Sequence, residues 1–200
     1  MKLIFKIIFF IFFTTSQLYA DDASNWLKTE VDFILEAYRN SDISNEKRFS
    51  IIENTVNYNF AGTGIAKFVS GEAWKKADKE TKEKYIKFFK KHLALNIASL
   101  MQGYANQEYS LINSKYDSKN KVSLIDMNIF TNSSSITITW RVKQSKERFY
   151  IIDLLVADIS LVVTKRSEFN SMLKKVNNDL ETLSELLHKQ NEESYKLLTN

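Results

Sequence analysis

The sequence predicts an α+β fold, in which helices precede and follow a run of antiparallel strands along the chain. Three observations support this prediction. Apolar residues recur every three or four positions before Gly103, they alternate between Tyr109 and Val156, and helical spacing returns after Ser160. Consecutive strands without intervening helices form antiparallel sheets. We therefore expect one domain with a four-stranded antiparallel sheet.

The first twenty residues are typical of a secretory signal peptide. Lys2 and Lys6 give this segment a basic start, residues 7–13 are an unbroken apolar run, and Ala20 is a small residue at the expected cleavage site. The run is too short for a membrane-spanning helix, which needs about 20 residues. We expect residues 1–20 to be removed, and an uncleaved N-terminal anchor is the alternative.

The composition excludes several kinds of chemistry. The chain has no Cys, which excludes disulfides, thiolate metal sites and a Cys nucleophile. Its four Gly residues are too few and too dispersed for a nucleotide-binding loop. Removal of Lys2 and Lys6 lowers the formal net charge from +4 to +2, which does not indicate a nucleic-acid partner. We expect no metal, no cofactor and no nucleic acid.

The segment before the sheet is predicted to be helical. Amphipathic spacing covers residues 25–38 and 49–60, residues 42–44 supply a break and a cap, and residues 65–69 add one or two turns before Ser70 and Gly71. Asp78 is placed to cap a long helix whose apolar face carries six residues at helical spacing. These residues are Tyr85, Phe89, Leu93, Ile97, Leu100 and Tyr104.

The opposite face of that long helix is rich in lysine. Lys84, Lys87, Lys90 and Lys91 fall there together with Glu83, and a solvated helix face is the simplest interpretation. The alternative is a patch that meets anionic lipid headgroups or an acidic partner.

Four strands follow the helices. They cover residues 109–112, 122–130, 136–142 and 149–156. In the third strand Ile136, Ile138, Trp140 and Val142 alternate with polar residues, which is typical of a half-buried strand. The fourth is apolar on both sides except at Asp153, so we expect both of its faces to be covered.

Two helices are predicted at the end of the chain. Helical spacing covers residues 160–176 and 180–187, and residues 191–200 form a polar tail that we expect to fray. Ser160 is better explained as the cap of the first of these helices than as a nucleophile, because no GxSxG motif surrounds it.

No catalytic residue is predicted. His92 and His188 lie in no metal-ligand or catalytic motif, so we expect both to be structural. Asp153 is more distinctive, because a charge in an apolar strand must be paired or hydrogen-bonded. We expect a structural bond to nearby backbone or to Arg166. The alternative is a general base in a small cone-shaped enzyme of the nuclear-transport-factor-like group.

The fourth strand and the helix after it carry a specific pattern. Residues 149–169 read FYIIDLLVADISLVVTKRSEF, with a hydrophobic-Asp pair, a short apolar stretch, Ser-Leu, and a Thr-Lys-Arg-Ser-Glu-Phe segment. This pattern resembles the MlaC family of periplasmic phospholipid carriers, the toluene-tolerance auxiliary proteins. Residues upstream are similar to the central helix of that family, namely Trp74, Thr81, Tyr85, Phe88, Phe89 and Leu93. The chain departs from the family at Ala157 and Asp158, where an acidic residue and Gly are usual.

The resemblance implies a lipid-binding domain over residues 21–190, with a highly twisted sheet, helices folded over it and an apolar cavity between them. It also implies a periplasmic location and no enzymatic activity. The implied role is the shuttling of phospholipid between an outer-membrane lipoprotein complex and an inner-membrane ABC transporter complex that carries a lipid-binding ring, which maintains outer-membrane lipid asymmetry. A hopanoid-associated branch of the family leaves the cargo open.

Nine apolar or aromatic residues are our candidates for the lining of that cavity. They are Phe68, Phe88, Tyr104, Ile125, Met127, Ile138, Trp140, Ile152 and Leu154. The alternative for each of them is a filled core, because stripes with these periods also pack protein interiors. A third class of function is an interaction protein that docks through its lysine face.

Overall fold

In a computed structural model of the protein, helices occupy both ends of the described chain and strands occupy its middle. The structure describes residues 22–104, 106–131 and 134–200, without the side chain of Tyr104. The signal peptide expected over residues 1–20 lies outside these residues. The order of helices, strands and helices confirms the α+β class predicted from the sequence.

Two of the helices before the sheet begin at polar capping residues that the sequence predicted. The four helices are α1 (residues 22–39), α2 (Asn45–Asn59), α3 (Gly62–Lys76) and α4 (Lys79–Tyr104). Ser44 accepts a hydrogen bond from the Lys47 backbone N–H at 3.3 Å, and Asp78 accepts one from the Thr81 N–H at 2.7 Å. Each of these oxygens satisfies an N–H group that has no partner within its helix.

Helix α3 is longer than the one or two turns predicted for residues 65–69. Gly71 lies inside it with φ 54° and ψ −120°, a backbone conformation that glycine adopts without the steric cost of a Cβ. The helix is kinked at this residue. The break predicted at Gly71 is therefore a kink between two helical segments.

Five strands form one sheet with the order β1-β2-β3-β4-β5. They are β1 (Glu108–Asp117), β2 (Val122–Phe130), β3 (Ser135–Ser145), β4 (Arg148–Val156) and β5 (Ile159–Ser160). The two-residue strand β5 is the one that the sequence did not predict. It follows a tight turn in which Ala157 and Asp158 have φ values of 47° and 63°, which suits the twist of a hairpin.

Two helices follow the sheet, α5 (Leu161–Lys175) and α6 (Leu180–Thr199). Ser160 caps α5, as predicted, by accepting a hydrogen bond from the Val163 N–H at 3.1 Å. Residues 191–199, where the sequence indicated a polar tail, continue α6. The buried Asn191 donates from Nδ2 to the Phe88 backbone oxygen at 2.9 Å, and this bond joins the segment to α4.

The chain divides into two compact units, which we call the sheet unit and the helical unit. Of the described residues, the sheet unit comprises those from 22 to 31 and from 107 to 158, and the helical unit comprises those from 32 to 106 and from 159 to 200. An aromatic cluster lies in the core of the helical unit, where Tyr85, Phe89 and Phe169 have ring centroids 5.5 to 6.4 Å apart. All three side chains are buried, which confirms Tyr85 and Phe89 on the apolar face predicted for α4, whereas Leu100 of the same predicted face is 56% exposed.

Candidate functional site

The strand register brings five of the nine predicted lining residues onto one face of the sheet. Residues directly opposite each other in paired strands share a face. Ile125 of β2 lies opposite Trp140 of β3, and Trp140 lies opposite Leu154 of β4. Two positions further along the strands, Met127 lies opposite Ile138. We call this side of the sheet the apolar face.

The apolar face is larger than the sequence predicted. Its further members are cross-strand and same-strand neighbours of the first five, namely Leu111, Ile129, Ile136, Val142, Ile151 and Val156. Alternation along β2 and β3 indicated Ile129, Ile136 and Val142. Leu111 and Val156 could be assigned only from the register, because their positions relative to β2 and β3 depend on how the strands pair.

A bulge in β4 changes the environment of one predicted residue. Arg141 lies opposite Asp153 and Val142 lies opposite Ile151, so Ile152 is an extra residue in the register. Because of this insertion, Ile151 and Leu154 share the apolar face although three positions separate them. Strict alternation along β4 predicts that Ile152 and Leu154 lie on the same face. This prediction is wrong, because the bulge adds one residue and so reverses the alternation before Asp153.

Residues of the apolar face differ in how much surface they keep. Ile125 is 0% exposed and Met127 is 3% exposed, so both side chains are fully packed. Ile138, Trp140 and Leu154 are half-buried. The half-buried residues are the ones that retain surface for an apolar ligand, whereas Ile125 and Met127 support them from the core.

The other face of the sheet is held together by hydrogen bonds between side chains. Thr137 Oγ1 donates to Asn128 Oδ1 at 2.8 Å, and Thr139 Oγ1 donates to Asp126 Oδ1 at 2.7 Å. Both bonds join residues that are directly opposite each other in β2 and β3. An antiparallel sheet commonly presents one polar and one apolar face. We call this side the polar face, although three apolar residues also lie on it, namely Val122, Leu124 and Leu155.

Asp153 has the structural role predicted for it, although its cation differs from the predicted one. Its side chain is 4% exposed, Oδ2 lies 3.4 Å from Arg141 Nη1, and Oδ1 accepts from the Leu154 backbone N–H at 2.9 Å. The sequence had indicated Arg166 as the cation. Arg141 takes that place because the antiparallel register sets it directly opposite Asp153. These bonds constrain the carboxylate and make it a poor candidate for a general base.

Two predicted lining residues lie in the helical unit. Phe68 on α3 is 42% exposed, and the guanidinium carbon of Arg166 lies 4.4 Å from the centroid of its ring. Phe88 on α4 stacks on His188 of α6, with 4.6 Å between the ring centroids. The side chain of Tyr104, a third predicted lining residue, lies outside the part of the chain that the structure describes.

His92 is a partly buried ionisable group in the helical unit. Burial and the neighbouring Lys165 ammonium lower its pKa to about 4, and the carboxylate of Glu168 opposes this shift. The imidazole makes an edge contact with Phe169, with 5.8 Å between the ring centroids. The side chain is therefore neutral at pH 7 and packs against the aromatic cluster, as expected for a structural histidine.

The lysine-rich face of α4 is paired in part with glutamates of α6. Lys84 Nζ lies 3.5 Å from Glu181 Oε1 and 3.4 Å from Glu185 Oε1, and Lys91 Nζ lies 2.9 Å from Glu192 Oε1. Cations with an acidic neighbour contribute less to the field that would attract an anionic surface. The pairs therefore favour a solvated face over a docking patch.

The described residues carry no cluster of three or more His, Asp or Glu side chains that could hold a metal ion. None of the described helices is long and apolar enough to cross a membrane.

Comparisons with known proteins agree with the pattern found in residues 149–169. The family model described as MlaC protein matches residues 28–189. No curated protein matches the sequence. Six chains among the solved structures match, and one of them is a phospholipid-binding protein from Ralstonia solanacearum in complex with a phospholipid. It is 18% identical, with a TM-score of 0.74 over 86% of this chain and 98% of that chain, which shows a shared fold.

Proposed function

Because this chain belongs to the MlaC family, we propose that it binds phospholipid and carries it through an aqueous space between two membranes. The apolar face of the sheet is the observation that supports this proposal most directly. Ile138, Trp140 and Leu154 are half-buried there, with the packed Ile125 and Met127 beside them. Transport breaks no covalent bond in the lipid, so a carrier needs an apolar surface and no catalytic group.

The energetics of lipid transfer explain why such a surface is needed. Two acyl chains hold about thirty methylene groups, and moving each into water costs about 0.8 kcal/mol. The total is on the order of 24 kcal/mol, which makes the spontaneous escape of a phospholipid from a membrane very slow. A protein that keeps the acyl chains against apolar side chains removes most of this cost.

We also propose that the protein acts in the periplasm. There it would exchange phospholipid with an inner-membrane ABC transporter complex that carries a lipid-binding ring and with an outer-membrane lipoprotein complex, and so maintain outer-membrane lipid asymmetry. Membership of the family and the signal-like sequence of residues 1–20 support this location. Fractionation of cells that express the full chain tests it. The expected result is a periplasmic protein whose mass corresponds to a chain beginning at Asp21; an unprocessed chain in the membrane fraction would contradict it.

Lipid binding is tested first with the unaltered protein. The mature chain is purified, incubated with phospholipid vesicles, separated from them and analysed by native mass spectrometry. We expect a complex with phospholipid. A hopanoid in the protein as purified would redirect the proposal to the other cargo of the family. A protein that holds no lipid and takes none from vesicles would refute the carrier function.

The location of the binding surface is tested with a matched pair of variants in β3. Ile138→Asp places a charge on the apolar face, whereas Thr137→Asp places the same charge on the polar face one residue away. We expect Ile138→Asp to abolish lipid loading, because a carboxylate beside acyl chains must be desolvated, and Thr137→Asp to load normally. Thermal melting shows whether each variant is folded. Normal loading by a folded Ile138→Asp protein would contradict the proposed surface, and the loss of cooperative melting would instead mark Ile138 as core.

A further inference from the structure

The indole N–H of Trp140 is a polar group in an apolar setting. Its Nε1 atom is buried and has no hydrogen-bond partner among the residues that the structure describes. Buried donors in folded proteins are nearly always paired, because a donor removed from water without an acceptor loses its hydrogen bond to the solvent. We therefore expect this N–H group to donate to an acceptor that is absent from the described residues.

The neighbours of Trp140 restrict what that acceptor can be. Ile125 and Leu154 lie directly opposite it on the adjacent strands, and Ile138 and Val142 lie two positions away on the same face of β3. None of these four side chains accepts a hydrogen bond. A buried water needs two to four polar partners, which these side chains do not supply. A phosphate or another ion would have to lose its hydration among them.

We propose that the Trp140 Nε1–H donates a hydrogen bond to an acyl ester carbonyl of the bound phospholipid. This inference rests on the proposed lipid-carrier function and names the chemical class of the cargo. An ester carbonyl is uncharged, accepts hydrogen bonds strongly and lies where the acyl chains join the polar headgroup. The bond sets the depth of the lipid on the apolar face, and it makes the protein prefer ester-linked glycerolipids over molecules with only ether oxygens or a hydroxyl group.

A competition between two lipids tests this hydrogen bond. The mature protein is incubated with vesicles that contain equal amounts of dioleoyl phosphatidylglycerol and its diether analogue, and native mass spectrometry measures the ratio of the two lipids it takes up. We expect about a tenfold preference of the wild type for the diester lipid, as follows from one hydrogen bond to an otherwise unpaired buried donor. Trp140→Phe keeps an aromatic ring without the N–H, and its ratio is expected to be near one.

Trp74→Phe is the matched control, because Trp74 lies in α3 of the helical unit, where the Nζ of Lys82 is 5.6 Å from its ring centroid. This variant should keep the diester preference. A wild type that takes up both lipids equally, or a Trp140→Phe protein that keeps the preference, would overturn the hydrogen bond while leaving lipid binding intact. A wild type that takes up neither lipid would overturn the carrier function itself.

A spectroscopic measurement does not depend on the folding of the Trp140 variant. The protein has three Trp residues, so indole ¹⁵N labelling gives three N–H signals, and the Trp26→Phe and Trp74→Phe variants identify two of them. The remaining signal, from Trp140, is expected to move downfield with the diester lipid and not with the diether lipid. An equal response to both lipids would refute the proposal.

Discussion

The partly buried His92 makes the stability of the folded protein depend on pH. The pKa of this side chain is about 4 in the folded state, because of burial and the Lys165 ammonium, whereas an unfolded His has a pKa of about 6.5. Between these values the unfolded chain binds a proton that the folded protein does not bind. The contribution of His92 to the free energy of unfolding is therefore largest above pH 6.5 and falls as the pH falls towards 4.

The size of this effect follows from the two pKa values. The slope is about 1.4 kcal/mol per pH unit once the unfolded histidine is protonated. Lowering the pH from 7 to 5 is therefore expected to reduce the free energy of unfolding by about 2 kcal/mol through this one group. Urea unfolding followed by circular dichroism at pH 7, 6 and 5 measures the change.

The His92→Phe variant isolates the contribution of the imidazole. Phenylalanine keeps a ring against Phe169 and does not titrate, while His188 and all carboxylates are common to both proteins. We expect the wild type to lose about 2 kcal/mol more than the variant between pH 7 and pH 5. The comparison uses the change with pH, so a constant difference in stability between the two proteins does not affect it. An identical pH dependence in both would refute the reasoning.

Three further substitutions test the backbone and the sheet by denaturant unfolding. Gly71→Ala is expected to lower the free energy of unfolding by about 1–3 kcal/mol, because φ 54° and ψ −120° lie outside the regions that L-residues populate; an unchanged stability would argue against the kink. Ala157→Gly is expected to raise the free energy of unfolding by about 0.5–1 kcal/mol, because Ala157 has φ 47° and glycine adopts this backbone conformation without strain. A loss of stability would contradict the positive-φ turn. Arg141→Met is expected to lower the free energy of unfolding by about 1–3 kcal/mol, because the buried Asp153 carboxylate loses its guanidinium neighbour; a neutral effect would refute a stabilising role for this ion pair.

The helix starts and the polarity of the strands could be predicted because they depend on neighbouring residues. Asp78 and Ser160 cap α4 and α5 because a side-chain oxygen reaches a backbone N–H three residues ahead, a distance set within one turn of chain. The alternation of Ile138 and Trp140 with threonines likewise fixed the apolar side of β3. The extension of α6 through residues 191–199 was missed because Asn191 and Leu198 are buried by tertiary packing and not by local preference.

Which residues lie on the apolar face, and which cation lies next to Asp153, depends on how segments that are distant in the sequence pair. The sequence predicted that Asp153 bonds to nearby backbone or to Arg166. The backbone bond is present, from the Leu154 N–H, but the register brings Arg141 rather than Arg166 opposite the carboxylate. Nothing in the sequence indicated the bulge at Ile152, because one extra apolar residue in an apolar strand does not change the pattern of residue types. It nevertheless moves Ile151 onto the apolar face with Leu154.

Periodicity and local motifs in the sequence are enough to predict the α+β class, the family and the apolar side of β2 and β3. The tertiary structure, in contrast, sets which apolar side chains lie next to one another and which of them keep exposed surface. The tertiary structure also places Trp140 between aliphatic neighbours, where its indole N–H has no hydrogen-bond partner among the described residues. The two differ because a strand carries its own alternation, whereas its partners, its register and its bulges depend on the free energy of the whole sheet.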